Sequence, residues 1–504
     1  MMKYNILILT LLFFFSSCTD LKEELRHDLT TSQGEEFENA GAFLQAAYSG
    51  MKEPFQDQAR WWCAQEHTSD EAVGPTRGGD WDDNGIWRSL HAHSWSAEHD
   101  YLSTTFNQLL QVVFLTTNML QFKPTPQQEA EGRYLRAFVM LNVLDGWGQV
   151  PFRAAGSDLL LDAQVLGPHE TIDFVVSEVD AIINNLPDSP TNRANKDAAR
   201  VLKMKALLNK GMYLNRAAPT FNNQDMAAVI ALADNIIGTD KYKLASNYYD
   251  NFAPTNNVKS TENIWTFENI AGTPTGSGNS VRSRWFCGLH YNMNPSGWNG
   301  FTTLSDFYNK FEDADMRKSA SYTGMTDVSG IKVGFLRGQQ FNEKGEMLFD
   351  RKGNPLAFTD EVALKESGNN LEITGIRVMK YPIDYKNGDN VDNDYVFYRY
   401  SDVLLMKAEA MLRSGNASGA LTIVNEVRKA RNASDLSSLT LDNLLDERGR
   451  EFYWEGFRRT DLLRFGKFLE ATQLRGKSGP ERVLFPIPAK SLASNPNLKQ
   501  NDGY

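Results

Sequence analysis

The feature that most constrains the fold is a pair of apolar stripes near the C-terminus, separated by a short turn. The stripe residues recur at the spacing of one helix face and are Leu404, Leu405, Ala408, Met411 and Leu412, then Ala417, Ala420, Leu421, Val424 and Val427. Ser414-Gly415-Asn416 makes the turn. From Tyr398 to Arg431 the hairpin has about 34 residues, the length of a tetratricopeptide unit, which buries its faces only by stacking on neighbours. The stripes are therefore predicted to be core, without a ligand role.

Three earlier segments repeat this helical spacing. Their stripes run over residues 134–144, 172–186 and 201–212. Asp145-Gly146-Trp147-Gly148 is expected to break the first helix, and Thr171 is placed to cap the second. The second and third segments together predict another helical hairpin.

Between the repeats the helical rhythm mostly fails, apart from a predicted helix over residues 226–237. Gly, Asn and Pro crowd residues 273–300, and Lys344-Gly345 and Lys352-Gly353-Asn354 predict hairpin turns. The pattern predicts a mostly α fold. The predicted fold is a tetratricopeptide-like helical-repeat scaffold with repeats at about residues 100–237 and 395–465. A large irregular insertion of loops and short strands is predicted at about residues 240–395.

The N-terminus has the pattern of a secretory signal. Lys3 precedes an apolar run from Ile6 to Phe15, and Ser16-Ser17 leads to Cys18. The run is shorter than the ~20 residues that cross a bilayer as a helix. Residues 1–17 are therefore predicted to be a lipoprotein signal peptide, with the lipid attached to Cys18 and one domain over residues 18–504. An ordinary signal peptide with an accidental cysteine is the alternative.

The composition of the chain argues against some classes of function. The net charge is −11, which argues against nucleic acid as a partner, because phosphate binding needs clustered Lys and Arg. No second apolar stretch approaches the length of a membrane span, so the lipid is the only predicted contact with a membrane. Besides Cys18, only Cys63 and Cys287 are present. One bridge between them is possible, but two separate buried thiols are favoured.

Four blocks of sequence, in order along the chain, carry a family resemblance. They are Gly132 to Phe138 with Gly146 to Phe152, Tyr398 to Ala410, Arg448 to Leu462, and Arg482 to Pro488 with Asn495 to Tyr504. Together with Cys18 they resemble the SusD/RagB family of outer-membrane nutrient-binding lipoproteins. The resemblance implies a tetratricopeptide-like scaffold on the cell surface, and a SusC-like TonB-dependent outer-membrane transporter as partner. It also implies a glycan or, in other members, a peptide as cargo.

Two of these blocks also have a structural explanation of their own. Arg448, Arg450 and Arg459 alternate with acids at spacings that form ion pairs along a helix, which is typical of a solvated face. Pro486 and Pro488 fix φ and remove donors, so the tail is expected to run extended over a surface.

Candidate ligand residues gather in an early Gly- and Asp-rich stretch. A sugar presents CH faces to aromatic planes and hydroxyls to charged or amide groups. Trp81 and Trp87 supply the planes, and Asp70 and Arg77 supply polar groups. Because Trp81 is flanked by acids and glycines, it is expected on a loop.

Two further stretches are expected to complete the site, as in the resembled family, where an early loop, the insertion and the segment before the last repeat contribute. Residues 284–299 offer Cys287, Tyr291 and Trp298, framed by Gly and Pro. Residues 375–381 predict a strand carrying Arg377 and Met379 on one face. The predicted cargo is an oligosaccharide handed to the transporter. Peptide or glycopeptide cargo, and a helical-repeat adaptor without a small ligand, remain alternatives.

Catalysis and metal binding are not predicted. Asp80, Asp82 and Asp83 could suggest a glycoside hydrolase or a Ca²⁺ site, but neighbouring acids in a glycine-rich loop are commonly solvated. His91-Ala92-His93 lacks the partners that would complete a metal shell. No catalytic motif is present, so the chain is predicted not to be an enzyme and to need no cofactor.

Overall fold

The protein is described here from a computed structural model that covers residues 39–272 and 281–504. The predicted signal peptide and Cys18 lie outside the described residues. The helices are α1 (Ala40–Gly50), α2 (Lys52–Gln56), α3 (Trp61–Glu66), α4 (Ile86–His91), α5 (Asp100–Met119), α6 (Pro126–Trp147), α7 (Pro168–Ile182), α8 (Lys196–Leu214), α9 (Asn223–Ile237), α10 (Asn256–Lys259), α11 (Ser283–Phe286), α12 (Ser305–Tyr308), α13 (Thr326–Ser329), α14 (Tyr400–Arg413), α15 (Ala417–Ala430), α16 (Leu441–Phe452), α17 (Arg458–Arg464) and α18 (Ala489–Ser494). Short 3₁₀ turns cover Asp83–Gly85, Ile183–Asn185, Tyr248–Asn251 and Pro480–Val483.

The long helices form one continuous stack. Helix α1 packs on α5, α5 on α6, α6 on α7, α7 on α8, α8 on α9, α9 on α14, and α14 on α15. Each helix therefore buries its apolar stripe against a neighbour, as in tetratricopeptide repeats. The predicted mostly helical, repeat-like scaffold is confirmed. Among the described residues, no helix combines the length and apolarity needed to span a membrane.

Helix α6 runs further than predicted. Asp145 and Gly146 remain helical, and the helix ends at Trp147, followed by Gly148 with φ 71°. A Cβ at Gly146 would lie 3.0 Å from the Trp61 ring, so the glycine lets another helix approach closely and does not break this one.

Helix α7 begins one turn earlier than predicted. Gly167 is its N-cap and Pro168 its first residue, a position that suits proline because the N–H there needs no partner. Thr171, expected as the cap, lies inside the first turn and donates its hydroxyl to the Gly167 carbonyl at 2.8 Å. The predicted cap was wrong because the Gly-Pro pair starts the helix first.

The strands are short and lie mostly in the insertion. They are β1 (Thr76–Arg77), β2 (Val150–Phe152), β3 (Gln164–Leu166), β4 (Asn263–Phe267), β5 (Ser319–Ala320), β6 (Val333–Leu336), β7 (Gly338–Gln339), β8 (Ala357–Phe358), β9 (Lys365–Glu366), β10 (Arg377–Met379) and β11 (Tyr395–Arg399). Antiparallel pairs are β2 with β3, β4 with β11, β7 with β8, and β6 with both β5 and β10, while β1 pairs with β9 in parallel.

The pair β4–β11 fastens the insertion to the helices. Trp265 of β4 stacks on Phe397 of β11 with ring centroids 4.2 Å apart. It also contacts the rings of Tyr134 at 4.9 Å and Phe138 at 4.8 Å, both on α6. Stacked and edge-on aromatic pairs of this kind stabilise a core beyond their buried area, so the loops start from a rigid base.

The charged run at α16 is buried, and the expectation of a solvated face was wrong. The side chains of Glu447, Glu451 and Arg448 are at most 2% exposed. Arg317, from the insertion, bonds Glu447 at 2.7 Å and Glu451 at 3.0 Å. Although burial opposes ionisation, Arg317 and two further arginines lower the pKa of Glu447 to about 2. These charges pair with distant residues and not only along their own helix.

The C-terminal tail is non-helical from Leu484 to Pro488, as predicted around the two prolines, but it then forms the short helix α18 from Ala489. Phe485 and Ile487 are fully buried beside the two prolines. The Phe485 N–H donates to the Gly146 carbonyl at 2.8 Å, so the tail is fixed to the end of α6.

Candidate functional site

The early loop presents Trp81 from a tight turn. Arg77 and Asp80 exchange backbone hydrogen bonds at 2.9 and 3.1 Å, and Trp81 follows with φ 59°. A positive φ is costly for a bulky side chain and persists only when the surroundings fix it. The fixing contact is the indole N–H of Trp81, which donates to the Trp298 carbonyl at 2.9 Å.

Gly300 allows the two loops to meet. A Cβ at this position would lie 2.3 Å from the Trp81 ring, so no other residue fits without a shift. The half-buried Trp81 ring lies 4.9 Å from Phe301 and 6.1 Å from Trp298, centroid to centroid. Trp81 is thus on a loop, as predicted, but much of its ring supports the loop.

Trp298 offers the more accessible aromatic surface. It is 38% exposed, and its ring rests edge-on against Phe286, with centroids 4.7 Å apart. An indole held from one side with its remainder in solvent can stack on a flat apolar ligand face. We call Trp81 and Trp298 the aromatic ledge.

A groove of about 200 Å³ is lined by Asp80 and Asn299, the chain neighbours of the two ledge residues, although neither indole is part of its lining. Its wall is formed by four separate stretches of the chain, residues 77–80, 291–299, 350–352 and 368–372, and its polar lining includes Asp80, Tyr291, Asn299, Lys352, Asn370 and Glu372. Because amide, carboxylate, ammonium and phenol groups converge there, the groove can form hydrogen bonds with a polyhydroxylated ligand.

Tyr291 joins two walls of the groove. Its hydroxyl donates to Asp80 Oδ2 at 3.0 Å, and the Arg351 guanidinium lies 3.9 Å from its ring centroid. Arg351 also donates through Nε to Glu372 Oε1 at 2.7 Å. Burial and the neighbouring Asp80 carboxylate raise the pKa of Tyr291, so its proton is retained at neutral pH.

Two predicted contact residues, Arg77 and Arg377, support the groove from below. Arg77 donates to the Leu371 carbonyl at 3.0 Å and the Gly300 carbonyl at 3.2 Å. Arg377, fully buried in β10, donates to Asn299 Oδ1 at 2.8 Å. Burial lowers the pKa of Arg77 to about 10. Arg77 reaches the groove lining, while Arg377 acts through Asn299.

Of three other predicted residues, Trp87 and Cys287 are buried, and Asp70 is half-buried and paired. Trp87 is 2% exposed on α4 and donates its indole N–H to Asp83 Oδ2 at 2.8 Å. Cys287 is fully buried. Asp70 accepts two bonds from Arg458, at 2.7 and 2.9 Å, so both its oxygens are occupied. A dissolved ligand has no direct path to Trp87 or Cys287 in this structure.

The sequence did not single out Arg351, Asn370 or Glu372, which line the groove. The signal available was the Lys352-Gly353-Asn354 turn, which marked an exposed hairpin tip. Its Gly353 N–H donates to the Asp350 carbonyl at 3.1 Å, which confirms the turn. Nothing in the sequence indicated that this tip folds back against Tyr291.

Among the residues that the structure describes, neither the cysteines nor the histidines form a site of their own. Cys63 and Cys287 are free and buried, which confirms two separate thiols, and burial raises the pKa of both. His91 and His93 are buried, which lowers their pKa values. In the described part of the chain, no cluster of His, Cys, Asp and Glu could hold a metal ion.

Known proteins share both sequence and fold with this chain. The starch-binding protein SusD of Bacteroides thetaiotaomicron is 27% identical over 466 residues, covering 84% of this chain and 82% of that protein. A SusD superfamily protein from Parabacteroides distasonis superposes with a TM-score of 0.71 at 17% identity, covering 95% of this chain and all of the other. Surface glycan-binding protein A from Bacteroides uniformis superposes with a TM-score of 0.69 at 19% identity, covering 92% of this chain and 98% of the other.

The sequence profile of the SusD family matches residues 232–504, which is more than half of the chain. That match includes three of the four blocks that carried the resemblance, namely Tyr398 to Ala410, Arg448 to Leu462, and Arg482 to Pro488 with Asn495 to Tyr504. Profile, relative and fold agree, and the chain therefore belongs to the SusD family.

Proposed function

We propose that this protein is a surface-exposed outer-membrane lipoprotein that binds an oligosaccharide at the aromatic ledge and the adjoining groove, without chemistry on the ligand. It hands the ligand to a SusC-like TonB-dependent transporter. Its lipid is attached to Cys18, and the lipid alone holds it at the membrane.

The observation that carries the binding proposal is the juxtaposition of an exposed indole with a polar groove. Trp298 offers a flat apolar surface, and the groove lined by its chain neighbour Asn299 offers the hydrogen-bonding groups of Asn370, Lys352 and Glu372. A sugar ring has both kinds of surface, so its CH face stacks on the ledge while its hydroxyls enter the groove.

The relatives support the same class of ligand. The SusD relative is a starch-binding protein, and one neighbour in fold is a surface glycan-binding protein. Laminarin is bound by another SusD-like protein, which superposes with a TM-score of 0.67 over 93% of this chain. Starch and laminarin are both neutral glucans, which makes neutral glucan oligosaccharides the first ligands to test.

The ligand contacts in this proposal are Trp298, Tyr291 and Trp81, while Arg77, which is buried and bonded to two backbone carbonyls, supports the groove. Trp87, Cys287, Arg377 and Asp70 support the loops instead, because they are buried or already paired. Of the two ledge residues, Trp298 is the better one to replace by alanine, since Trp81 also holds its own turn in place.

The test is isothermal titration of purified protein with a panel of oligosaccharides. Loss of a stacking platform is expected to weaken binding by roughly tenfold or more, in the range of an aromatic contact. Phe122→Ala, at another exposed aromatic (42%) on the helical scaffold, is the matched control. Unchanged affinity in Trp298→Ala, with the melting temperature preserved, would reject the ledge as the binding site.

The partner and the anchor need separate experiments. Detergent extraction followed by co-purification should recover an outer-membrane barrel with the tagged protein, and Cys18→Ala should abolish lipid labelling.

Peptide cargo would be indicated by a glycan panel without binding and a peptide panel with binding. An adaptor role would be indicated by barrel recovery together with no small ligand at all.

A further inference from the structure

A buried histidine connects several stretches of the groove wall. His290 is fully buried and precedes the uncharged Tyr291, and the two rings lie edge-on with centroids 5.4 Å apart. Its Nε2 lies 2.8 Å from Glu372 Oε2, and Glu372 Oε1 accepts the bond from Arg351. Imidazole, carboxylate and guanidinium therefore form a chain that joins the turn at Tyr291 to two other stretches of the wall.

The hydrogen bonds of His290 fix its protonation state. The backbone nitrogen of Asn292 lies 3.0 Å from Nδ1, and because an amide N–H can only donate, Nδ1 carries no proton. The single ring proton is then on Nε2 and is donated to Glu372. A second proton, on Nδ1, would meet the Asn292 N–H and break that bond. Asn292 would then be less firmly placed to donate its side-chain amide to the Phe349 carbonyl, a bond of 2.9 Å.

The surrounding charges also disfavour a second proton on His290. Burial has the largest effect and lowers the pKa of His290, and the guanidiniums of Arg377 and Arg351 act in the same direction. Glu372 opposes them, but it is already bonded to Arg351. Asp350, another carboxylate near the imidazole, accepts backbone N–H groups of its own turn. The imidazole is therefore neutral when the groove has the shape described above.

We propose that His290 is a positioning residue that holds the groove walls together only while its imidazole is neutral, so that acid opens the groove and weakens ligand binding. This inference rests on the proposed function, because it concerns the regulation of the same site. In an opened groove the imidazole meets water and has its ordinary pKa of about 6.5. The closed groove binds the proton more weakly than the opened one, so closure is favoured at neutral pH and is lost progressively as pH falls below about 6.5.

The binding test is calorimetric titration of the full-length protein at about pH 7.5 and about pH 5, with maltoheptaose and laminarihexaose as neutral glucan probes. Each pH unit below the ordinary pKa shifts the equilibrium by up to tenfold, so we expect binding roughly tenfold weaker at the lower pH. His290→Gln keeps an N–H donor for Glu372 but does not titrate, and its affinity should be the same at both pH values. His169→Gln is the matched control, because His169 is 69% exposed on α7, and it should keep the pH dependence of the parent.

A second measurement needs no ligand and separates this inference from the proposed function. Hydrogen exchange of residues 289–299 and 368–372 is compared between the parent and His290→Gln at each pH. The two proteins should exchange alike at about pH 7.5, and the parent should exchange faster at about pH 5. If neither glucan binds, the proposed function fails, while the exchange data still decide whether His290 controls the groove. Equal exchange of the two proteins at both pH values would overturn the inference, and so would a pH dependence of binding that persists in His290→Gln.

The parent protein alone decides the question if His290→Gln folds poorly. Nitrogen-15 NMR of labelled histidines should show the proton of His290 on Nε2 at neutral pH. It should also show a second protonation below about pH 6.5 that coincides with faster exchange of residues 289–299. An imidazole that is already doubly protonated at neutral pH, or that stays neutral while exchange accelerates, would contradict the proposed role.

Discussion

Replacing Arg399 by methionine tests whether the buried charges stabilise the fold as a network. The guanidinium is 1% exposed. It bonds Glu455 at 2.9 and 2.8 Å, Glu451 at 2.5 Å and Glu262 at 3.2 Å. Arg399→Met keeps much of the volume but leaves these carboxylates short of one positive charge in the interior. Removing one partner of a buried ion pair costs about 3–5 kcal/mol.

The matched control makes the same change in an exposed pair. Arg337 bonds Asp360 at 2.5 and 2.8 Å, and the Arg337 side chain is 51% exposed. Solvent screens such pairs, which contribute at most about 1 kcal/mol. Arg337→Met should therefore leave stability nearly unchanged, even though its bonds are as short as those of Arg399.

The assay is urea unfolding followed by tryptophan fluorescence, with the free energy of unfolding extrapolated to water. The double variant Arg399→Met with Glu455→Gln should lose less than the sum of the two single changes, because the two groups act as one unit. If Arg399→Met and Arg337→Met cost the same, burial would not govern the strength of these pairs, and the reasoning would be refuted.

Three further predictions follow from packing and burial. Gly300→Ala should lower the free energy of unfolding by about 1–3 kcal/mol, since its Cβ would overlap an indole ring, and calorimetry should show a lowered Tm. Gly79→Ala is the control, because a Cβ there meets nothing within 4 Å. If both variants keep the Tm of the parent, the prediction is contradicted. Burial raises the pKa of Asp394 to about 7, so the folded state binds this proton more tightly than the unfolded chain, and stability should fall as pH rises from about 4 to about 7. Urea unfolding across that range should show that the free energy of unfolding falls by roughly 3 kcal/mol less in Asp394→Asn than in the parent. An equal pH dependence in the two proteins would rule out the assignment. Cys63 and Cys287 are buried with raised thiol pKa values, so iodoacetamide should label neither before urea unfolds the protein, and rapid labelling of the native state would speak against their burial.

Periodicity was enough to predict the helices of the scaffold. The stripes over residues 134–144 and 404–427 became α6, α14 and α15 because an apolar face of that spacing can be buried only as a helix against neighbours. Helix ends were less predictable. Whether Gly146 ends a helix or lets Trp61 approach depends on a residue more than 80 positions away, which local sequence does not reveal.

The charged residues were harder to place, for a similar reason. Glu447 and Arg448 have the spacing of a solvated helix face, but Glu447 also pairs with Arg317, which the insertion supplies. The same limit applies to the candidate site. Exposed turns indicated that the loops around Trp81 and Trp298 could meet a ligand, while the burial of Trp87 depended on packing across the whole fold.

The arginines below the groove have a consequence for how such a surface can vary. Arg77 bonds the backbone carbonyls of Leu371 and Gly300, so it fixes the course of two loops without depending on the side chain of Leu371. Exchanging side chains on the upper faces of these loops would leave that anchorage in place. A protein built this way can acquire a different ligand preference through point substitutions, while its framework remains the same.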